Sequence, residues 1–436
     1  MLKYYFRLAW ISIRRNPFLT TLMMGAIALG IGVSMTTLTL FYVMSSDPLP
    51  FKSDKVFAVQ LDTWGPDDPY FDDGSPPSMV TYRDAMAMME SDIPTHQAVM
   101  MHRAFAVRTG DETLRPERMS ARAAYGGFFP MFDVPFEHGS GWDRAADDAA
   151  ERVVVVGSEA NEKFFGGKNS VGETLYLDGE PFRVIGVLQS WRPMPLFYDL
   201  NNGAFGDPEQ LFIPFQIPIS LEYTAHGSTN CWKPEDIESY QDFLQSECVW
   251  LQHWAQLDDK DQVAEFQSFL DGYATEQKAL GRFARPLNNR LSDVMTWLDE
   301  REVVSADNTL LVVLSFMFLV ICLLNTVGLM LAKFINRAPL VGVRRALGAS
   351  RGDVIKQHSV EVLIVGVGGG LLGLGLAYLG LLAVRNWYRG YEYLAKLDTT
   401  MIVTALAFAI GAALLAGLYP TWRISRIQPA VHLKTQ

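Results

Sequence analysis

The sequence predicts an α-helical membrane protein with four transmembrane helices, one followed by three, and a large mixed α+β extracytoplasmic domain of two subdomains. Three features carry the prediction. Four long apolar runs, at 18–44, 309–332, 362–384 and 400–422, contain no formally charged side chain, Lys and Arg collect on one side of those runs, and a strongly acidic block of residues 46–307 separates the first run from the second.

Residues 1–17 read as a cytoplasmic amphipathic helix carrying Lys3, Arg7, Arg14 and Arg15 with no acid. The first span follows at 18–45. A bilayer core of roughly 30 Å needs about 20 apolar residues for a helix to cross it. A cleaved secretory signal is the competing reading of this segment. Its apolar region would be shorter and would end at a small-residue cleavage site, which is missing before Ser45. The segment therefore reads as an uncleaved anchor. The remaining spans fall at 308–332, 360–384 and 400–422.

Orientation follows from the short loops, because those rich in Lys and Arg stay in the cytoplasm. The segment 333–359 holds Lys333, Arg337, Arg344, Arg345, Arg351 and Lys356 against Asp353, and the tail 423–436 holds Arg423, Arg426 and Lys434. Both termini are thus expected in the cytoplasm of a bacterium's inner (plasma) membrane, with 46–307 periplasmic. The short outer loop 385–399 carries three basic residues that mildly oppose the rule. Its Trp387, Tyr388, Tyr391 and Tyr393 suit an interfacial aromatic belt.

Residues 46–307 hold 21 Lys and Arg against 44 Asp and Glu, a formal charge of −23 in a chain of net charge −11. The block is long enough to bury its own core. Residues 55–62 alternate as a strand, 78–89 read as a helix after two prolines, and 152–157 form a β-branched run. Asp178-Gly179 between 174–177 and 182–188 is a hairpin signal. A strand within 247–257 leads into a polar helix at 260–280, and the Pro-, Gly- and Asn-rich stretch 190–245 is expected to be loops. The acidic stretch 62–73 reads as a solvated loop, since it lacks the ligand spacing and glycine of an EF-hand.

The run ERVVVVGSEANEKFFGGKNSVGETLYLDGEPFRVIGVL at 151–188 resembles the extracytoplasmic segment of MacB-type permeases. VGVRRALGASRGDVIKQHSVEVL at 341–363 and GLYPTWRISRIQPAVHL at 417–433 are similar to signatures of the wider FtsX-like permease family. Asn16-Pro17 before the first span also fits. The resemblance covers most of the chain apart from 190–245 and implies the same topology that the apolar runs give.

The resemblance implies the permease subunit of a MacB-type, type VII-like ABC transporter that performs mechanotransmission and works as a dimer. No catalytic residue is expected, because the sequence has no G-x-x-x-x-G-K-[ST] loop to cradle phosphates. ATP and Mg would be held by a separate cytoplasmic ATPase subunit, and this chain would bind no cofactor itself. Export of a drug, peptide, toxin or lipoprotein is the expected role. An FtsX-like mechanotransmission subunit that activates a periplasmic cell-wall hydrolase is the alternative. Other partners would be a second permease copy or a paralogue, membrane lipid, and no nucleic acid. The involvement of a periplasmic adaptor and outer-membrane channel is left open.

By the same resemblance, Val341, Gly342, Val343, Arg344, Arg345, Ala346, Leu347, Gly348 and Ala349 form the ATPase-coupling element. Leu340, Val341, Val343, Ala346 and Leu347 can make an apolar stripe on a short helix that Gly348 ends, and Ser350 with Asp353 is a capping-box pattern that restarts a helix. Relatives usually carry an Arg-Glu pair where this sequence has Pro339-Leu340. In the third span, Gly366 with Gly370 and Gly369 with Gly373 are small-x-x-x-small pairs suited to helix packing. Glu361 at its inner edge requires a basic neighbour or an interface.

Cys231 and Cys248 lie in the outer block, where an oxidising compartment allows a disulfide; the sequence leaves that pairing open. Cys322 is a small apolar residue of the second span. No metal site is expected, because His96, His102, His138, His226 and His253 show no ligand spacing. Met86, Met88, Met89, Met100 and Met101 read as helix-packing residues.

Overall fold

The computed structural model describes residues 2–110, 115–224, 226–387 and 399–426. The chain divides into two compact units, one formed by Met1–Ser45 with Val304–Gln436 and the other by Ser46–Val303.

Helices α1 (Leu2–Arg15) and α2 (Pro17–Met44) open the chain. The second unit begins with β1 (Val56–Gln60), α3 (Tyr82–Met89), and the strands β2 (His96–Arg108) and β3 (Glu117–Ala124). Next come α4 (Phe128–Met131), β4 (Phe136–Gly139), α5 (Arg144–Asp148), β5 (Val153–Val156) and α6 (Ser158–Phe165). The hairpin β6 (Thr174–Leu177) and β7 (Glu180–Leu188) is followed by a 3-10 turn at Phe197–Asn202, β8 (Leu211–Pro214), α7 (Gln216–Ser220) and α8 (Tyr240–Gln245). β9 (Gln252–Gln256), α9 (Lys260–Ala279), β10 (Arg290–Asp293) and α10 (Val294–Glu300) close this unit. The chain then returns to the helical unit through α11 (Ala306–Ile335), α12 (Ala338–Ala346), α13 (Arg351–Trp387) and α14 (Thr399–Ser425).

One ten-stranded sheet runs through the α+β unit in the order β10-β1-β9-β2-β3-β8-β5-β7-β4, with β6 pairing β2 and β7. The β3–β8 and β5–β7 pairs are parallel. β5 is a bare run of four valines, all buried, as a strand covered on both faces requires. The β6–β7 turn puts Asp178 at φ 50 and Gly179 at φ 91, both left-handed, which suits a tight hairpin. The Asp178 carboxylate also accepts the Ala106 N–H at 2.8 Å, which fastens the hairpin to β2.

One sheet and one continuous hydrophobic core run through the α+β unit. Several expectations need correction. Residues 190–245 include β8, whose four residues are all buried between β3 and β5. A run as short as Leu-Phe-Ile-Pro gains its strand character from those neighbours. Met100 and Met101 are core residues of a strand, whereas Met88 and Met89 pack from α3. Asp62 is buried and receives Arg285 at 3.2 Å, unlike the exposed Asp67, Asp68, Asp72 and Asp73 of the same loop. The chain re-enters the helical unit at Val304.

At the middle of the sheet, Arg122 of β3 is 1% exposed. It donates to Asp199 at 2.6 Å and to Glu209, and its guanidinium lies 5.1 Å from the centre of the Tyr198 ring. Tyr198 donates its hydroxyl to Glu209 at 2.9 Å, and Gln252 donates to Asp199 at 3.1 Å. Burial opposes the guanidinium charge, but Glu209 and Asp199 outweigh it and raise the Arg122 pKa.

His253 of β9 is also buried, and burial pushes its imidazole from 6.5 down to about 3. Its Nε2 faces Gln97 Oε1 at 3.3 Å. The unfolded chain binds a proton at this ring below about 6.5 while the native chain resists, so the stability involved is present above 6.5 and is lost as pH falls toward 3. The slope from this one group approaches about 1.4 kcal/mol per pH unit. Urea titrations of the α+β unit at pH 7 and pH 5 should show a smaller loss for His253→Gln than for the parent; equal losses would contradict this account.

In the helical unit, α2, α11, α13 and α14 are long and apolar enough to cross a membrane. Gly369 and Gly373 of α13 meet α2. A Cβ at Gly373 would lie 3.0 Å from Ile31 Cβ and 3.1 Å from the Ala28 carbonyl oxygen. Gly366 and Gly370 are buried on the same helix. Cys322 is buried on α11, where a Cβ at Gly30 of α2 would lie 3.2 Å from its Cβ. Trp387 is exposed, while Tyr388, Tyr391, Tyr393 and the tail beyond Arg426, including Lys434, lie outside the described residues.

Candidate functional site

The candidate coupling element occupies α12 and the turn after it. Pro339 at the first turn suits a helix start, where a missing N–H costs nothing. Gly348, at φ 106, takes the left-handed conformation that ends it. Ser350 and Asp353 then cap α13 reciprocally: the Ser350 hydroxyl accepts the Asp353 N–H at 3.1 Å, and the Asp353 carboxylate accepts the Ser350 N–H at 3.1 Å.

The apolar stripe anticipated on this helix divides into two faces. Val341 and Gly342 are buried with Ala338, whereas Leu340, Val343, Ala346, Leu347 and Gly348 are exposed. Leu347 is 83% exposed, so the outer face offers apolar surface without cover from the described residues. Arg344, Arg345 and Ala349 are half-buried. Arg344 donates to the Gln357 side chain of α13 at 2.6 Å, and Arg345 reaches the Ser425 carbonyl of α14 at 3.5 Å. Both arginines therefore bind α12 to neighbouring helices.

Behind α12 lies a buried polar cluster. Glu361 of α13 and Lys333 of α11 are each 2% exposed and pair at 2.7 Å. Lys333 also donates to the Thr20 hydroxyl of α2 at 3.0 Å, and the Ser12 hydroxyl of α1 donates to Glu361. Arg337 donates to the Ser12 carbonyl at 2.8 Å and lies 4.0 Å from Glu361. His358 stands 3.7 Å from the same carboxylate, with its ring 4.3 Å from Phe334. Farther along α1, Tyr5 donates to Asp353 at 2.9 Å. These contacts tie α1, α2, α11 and α13 together beside the base of α12. Sequence reasoning isolated Glu361 but could not identify Ser12, Thr20, Lys333 or His358 as its surroundings.

In the α+β unit, Cys231 and Cys248 are joined in a disulfide, next to an antiparallel bridge between Asn230 and Val249. His102 and His226 lie near each other, with His102 Nδ1 2.6 Å from the His226 carbonyl oxygen, and Arg118 meets the His226 ring.

Residues 20–271 match the family model described as the MacB-like periplasmic core domain, and residues 312–429 match that of the FtsX-like permease C-terminal region. The chain belongs to the MacB-like family of ABC transporter permeases. Its match runs through 190–245, where sequence motifs had offered no support. The pyoverdine export ATP-binding/permease protein PvdT of Pseudomonas aeruginosa is 22% identical over 99% of this chain and 58% of its own length. The macrolide export ATP-binding/permease protein MacB of Psychrobacter cryohalolentis is 24% identical over 67% of this chain and 39% of its own. The permease chain thus spans only 39–58% of the length of these two curated relatives. Among solved structures, the periplasmic region of MacB from Actinobacillus actinomycetemcomitans aligns with 58% of this chain and 94% of its own, at 14% identity and a TM-score of 0.36.

Proposed function

We propose that this permease works in a MacB-like ABC exporter, where an ATPase outside these 436 residues docks on α12 and drives movement of the periplasmic domain. The supporting observation is the exposed apolar face formed by Leu340, Val343 and Leu347 on a helix bound to its neighbours by Arg344 and Arg345. An apolar patch open to solvent on a well-anchored element suits a partner surface. In this reading both termini are cytoplasmic, and α2 and α11, which enter and leave the periplasmic domain, carry the movement. Two permease copies, or this chain and a paralogue, surround the transport path. The substrate is collected on the periplasmic side, as a drug, peptide, toxin or lipoprotein would be. The names of relatives that export pyoverdine and macrolides support efflux over regulation of a cell-wall hydrolase.

The test is site-specific photocrosslinking from position 347 in cells that express the chain with its ATPase. The expected result is an ATPase adduct that Leu340→Asp abolishes without lowering the permease level. Crosslinks that never include an ATPase would overturn the docking role. Native mass spectrometry of the same preparation should then give two ATPase copies per pair of permease subunits.

A further inference from the structure

We propose that the cleft between α1 and α12 holds the phosphate headgroup of an anionic phospholipid. The cleft has a volume of about 720 Å³ and is lined by residues of α1, α2, α11, α12 and α13. Four of its lining residues are cationic, namely Arg15, Lys333, Arg337 and Arg344, and no carboxylate among the described residues lines it. Glu361 sits behind Lys333 and offsets one of these charges. Pro339 and Leu340 form part of the wall and bring no acid. Arg15 forms no ion pair among the described residues, so its charge remains available for a ligand.

Position selects a lipid over a soluble anion. The cleft reaches Leu19 in the first turns of α2 and Asn336 just past the end of α11, which are the ends of two spans. Headgroups lie at that level. Helix α1 forms one wall, and its outward side chains Tyr4, Phe6, Trp10 and Ile11 are about half exposed. Exposed aromatic and aliphatic groups on a short helix with Arg7, Arg14 and Arg15 and no acid are the features of a helix lying in the membrane surface. The apolar lining residues Leu8, Leu19 and Val343 can receive the glycerol and first acyl carbons. Basic pockets between spanning helices bind anionic headgroups in this manner. Leu340 and Val343 belong to both surfaces, but lipid retention is read without ATPase and the ATPase adduct is read from position 347, which does not line the cleft, so the two readings fail separately.

The experiment is native mass spectrometry of the full chain in mild detergent without ATPase, titrated with phosphatidylglycerol or with phosphatidylcholine of identical acyl chains. Saturable retention of phosphatidylglycerol over phosphatidylcholine is expected. Arg15→Gln and Arg344→Gln should each weaken it roughly five-fold, and the exposed Arg7→Gln should leave it unchanged. Arg15→Gln breaks no ion pair and keeps the test valid if the other variant misfolds. Equal retention of the two lipids, or equal effects of Arg15→Gln and Arg7→Gln, would overturn the proposal. Displacement of the lipid by millimolar glycerol phosphate would assign the cleft to soluble phosphates. If Arg15→Gln retained its lipid in this titration but lost the ATPase in a parallel co-purification from cells that express both, the cleft would be a protein-docking surface.

Discussion

Arg122→Met is expected to cost the periplasmic domain about 3–5 kcal/mol, because it strands two buried carboxylates without their shared counter-charge. Asp199 is 3% exposed and Glu209 6% exposed, so water cannot take over the role of the guanidinium. Their remaining donors are neutral: Tyr198 for Glu209, and Gln252 and Asn202 for Asp199. These supply hydrogen bonds but no positive charge. Loss of a residue on the strand between β2 and β8 also removes the stacking of Arg122 on Tyr198. Urea denaturation of full-length protein, followed by tryptophan fluorescence of this domain, measures the loss. Adding Asp199→Asn and Glu209→Gln to Arg122→Met should recover part of it, since removal of all the charges avoids an unpaired one. A single variant within about 1 kcal/mol of the parent would show that the carboxylates are not stranded.

The second large effect is expected at the polar cluster of the helical unit. Lys333→Met removes the nearest cation from the buried Glu361 and leaves it the Ser12 hydroxyl, His358 at 3.7 Å and Arg337 at 4.0 Å. Removing one partner of a buried ion pair costs about 3 kcal/mol. The result should be a lower yield of folded protein in detergent and an earlier thermal transition. Because Glu361 also receives Ser12, the variant should loosen α1, seen as faster hydrogen exchange across residues 2–15. Lys333→Met combined with Glu361→Leu should restore most of the thermal stability, since an apolar pair can replace a buried ion pair at little cost. Unchanged stability and exchange in the single variant would remove the cluster from any structural role.

Four spanning helices follow from the sequence because an uncharged run of about 20 residues has few ways to satisfy its backbone in lipid other than as a helix. The Asp178-Gly179 hairpin and the Ser350–Asp353 cap are just as local, with each set by residues within a few positions of one another. The family motifs at 151–188 and 341–363 lie in the ranges matched by the two family models. By contrast, β8 looked like loop because four residues beside proline carry too little pattern, and only pairing with β3 and β5 makes them a strand. The stripe on α12 looked like one face because periodicity cannot say which apolar residues a neighbouring helix will cover.

By itself, then, the sequence determined the spans, the tight turns and caps, the acidic character of the periplasmic domain and the family. These depend on properties of contiguous residues. Tertiary structure alone decided that Arg122 meets carboxylates 77 and 87 positions away, that Glu361 takes Lys333 and Ser12, and that Gly373 packs on Ile31. Burial makes a charge need a partner and makes a glycine permit close approach. Which residue meets that need depends on how distant segments converge in the fold, and no local pattern records it.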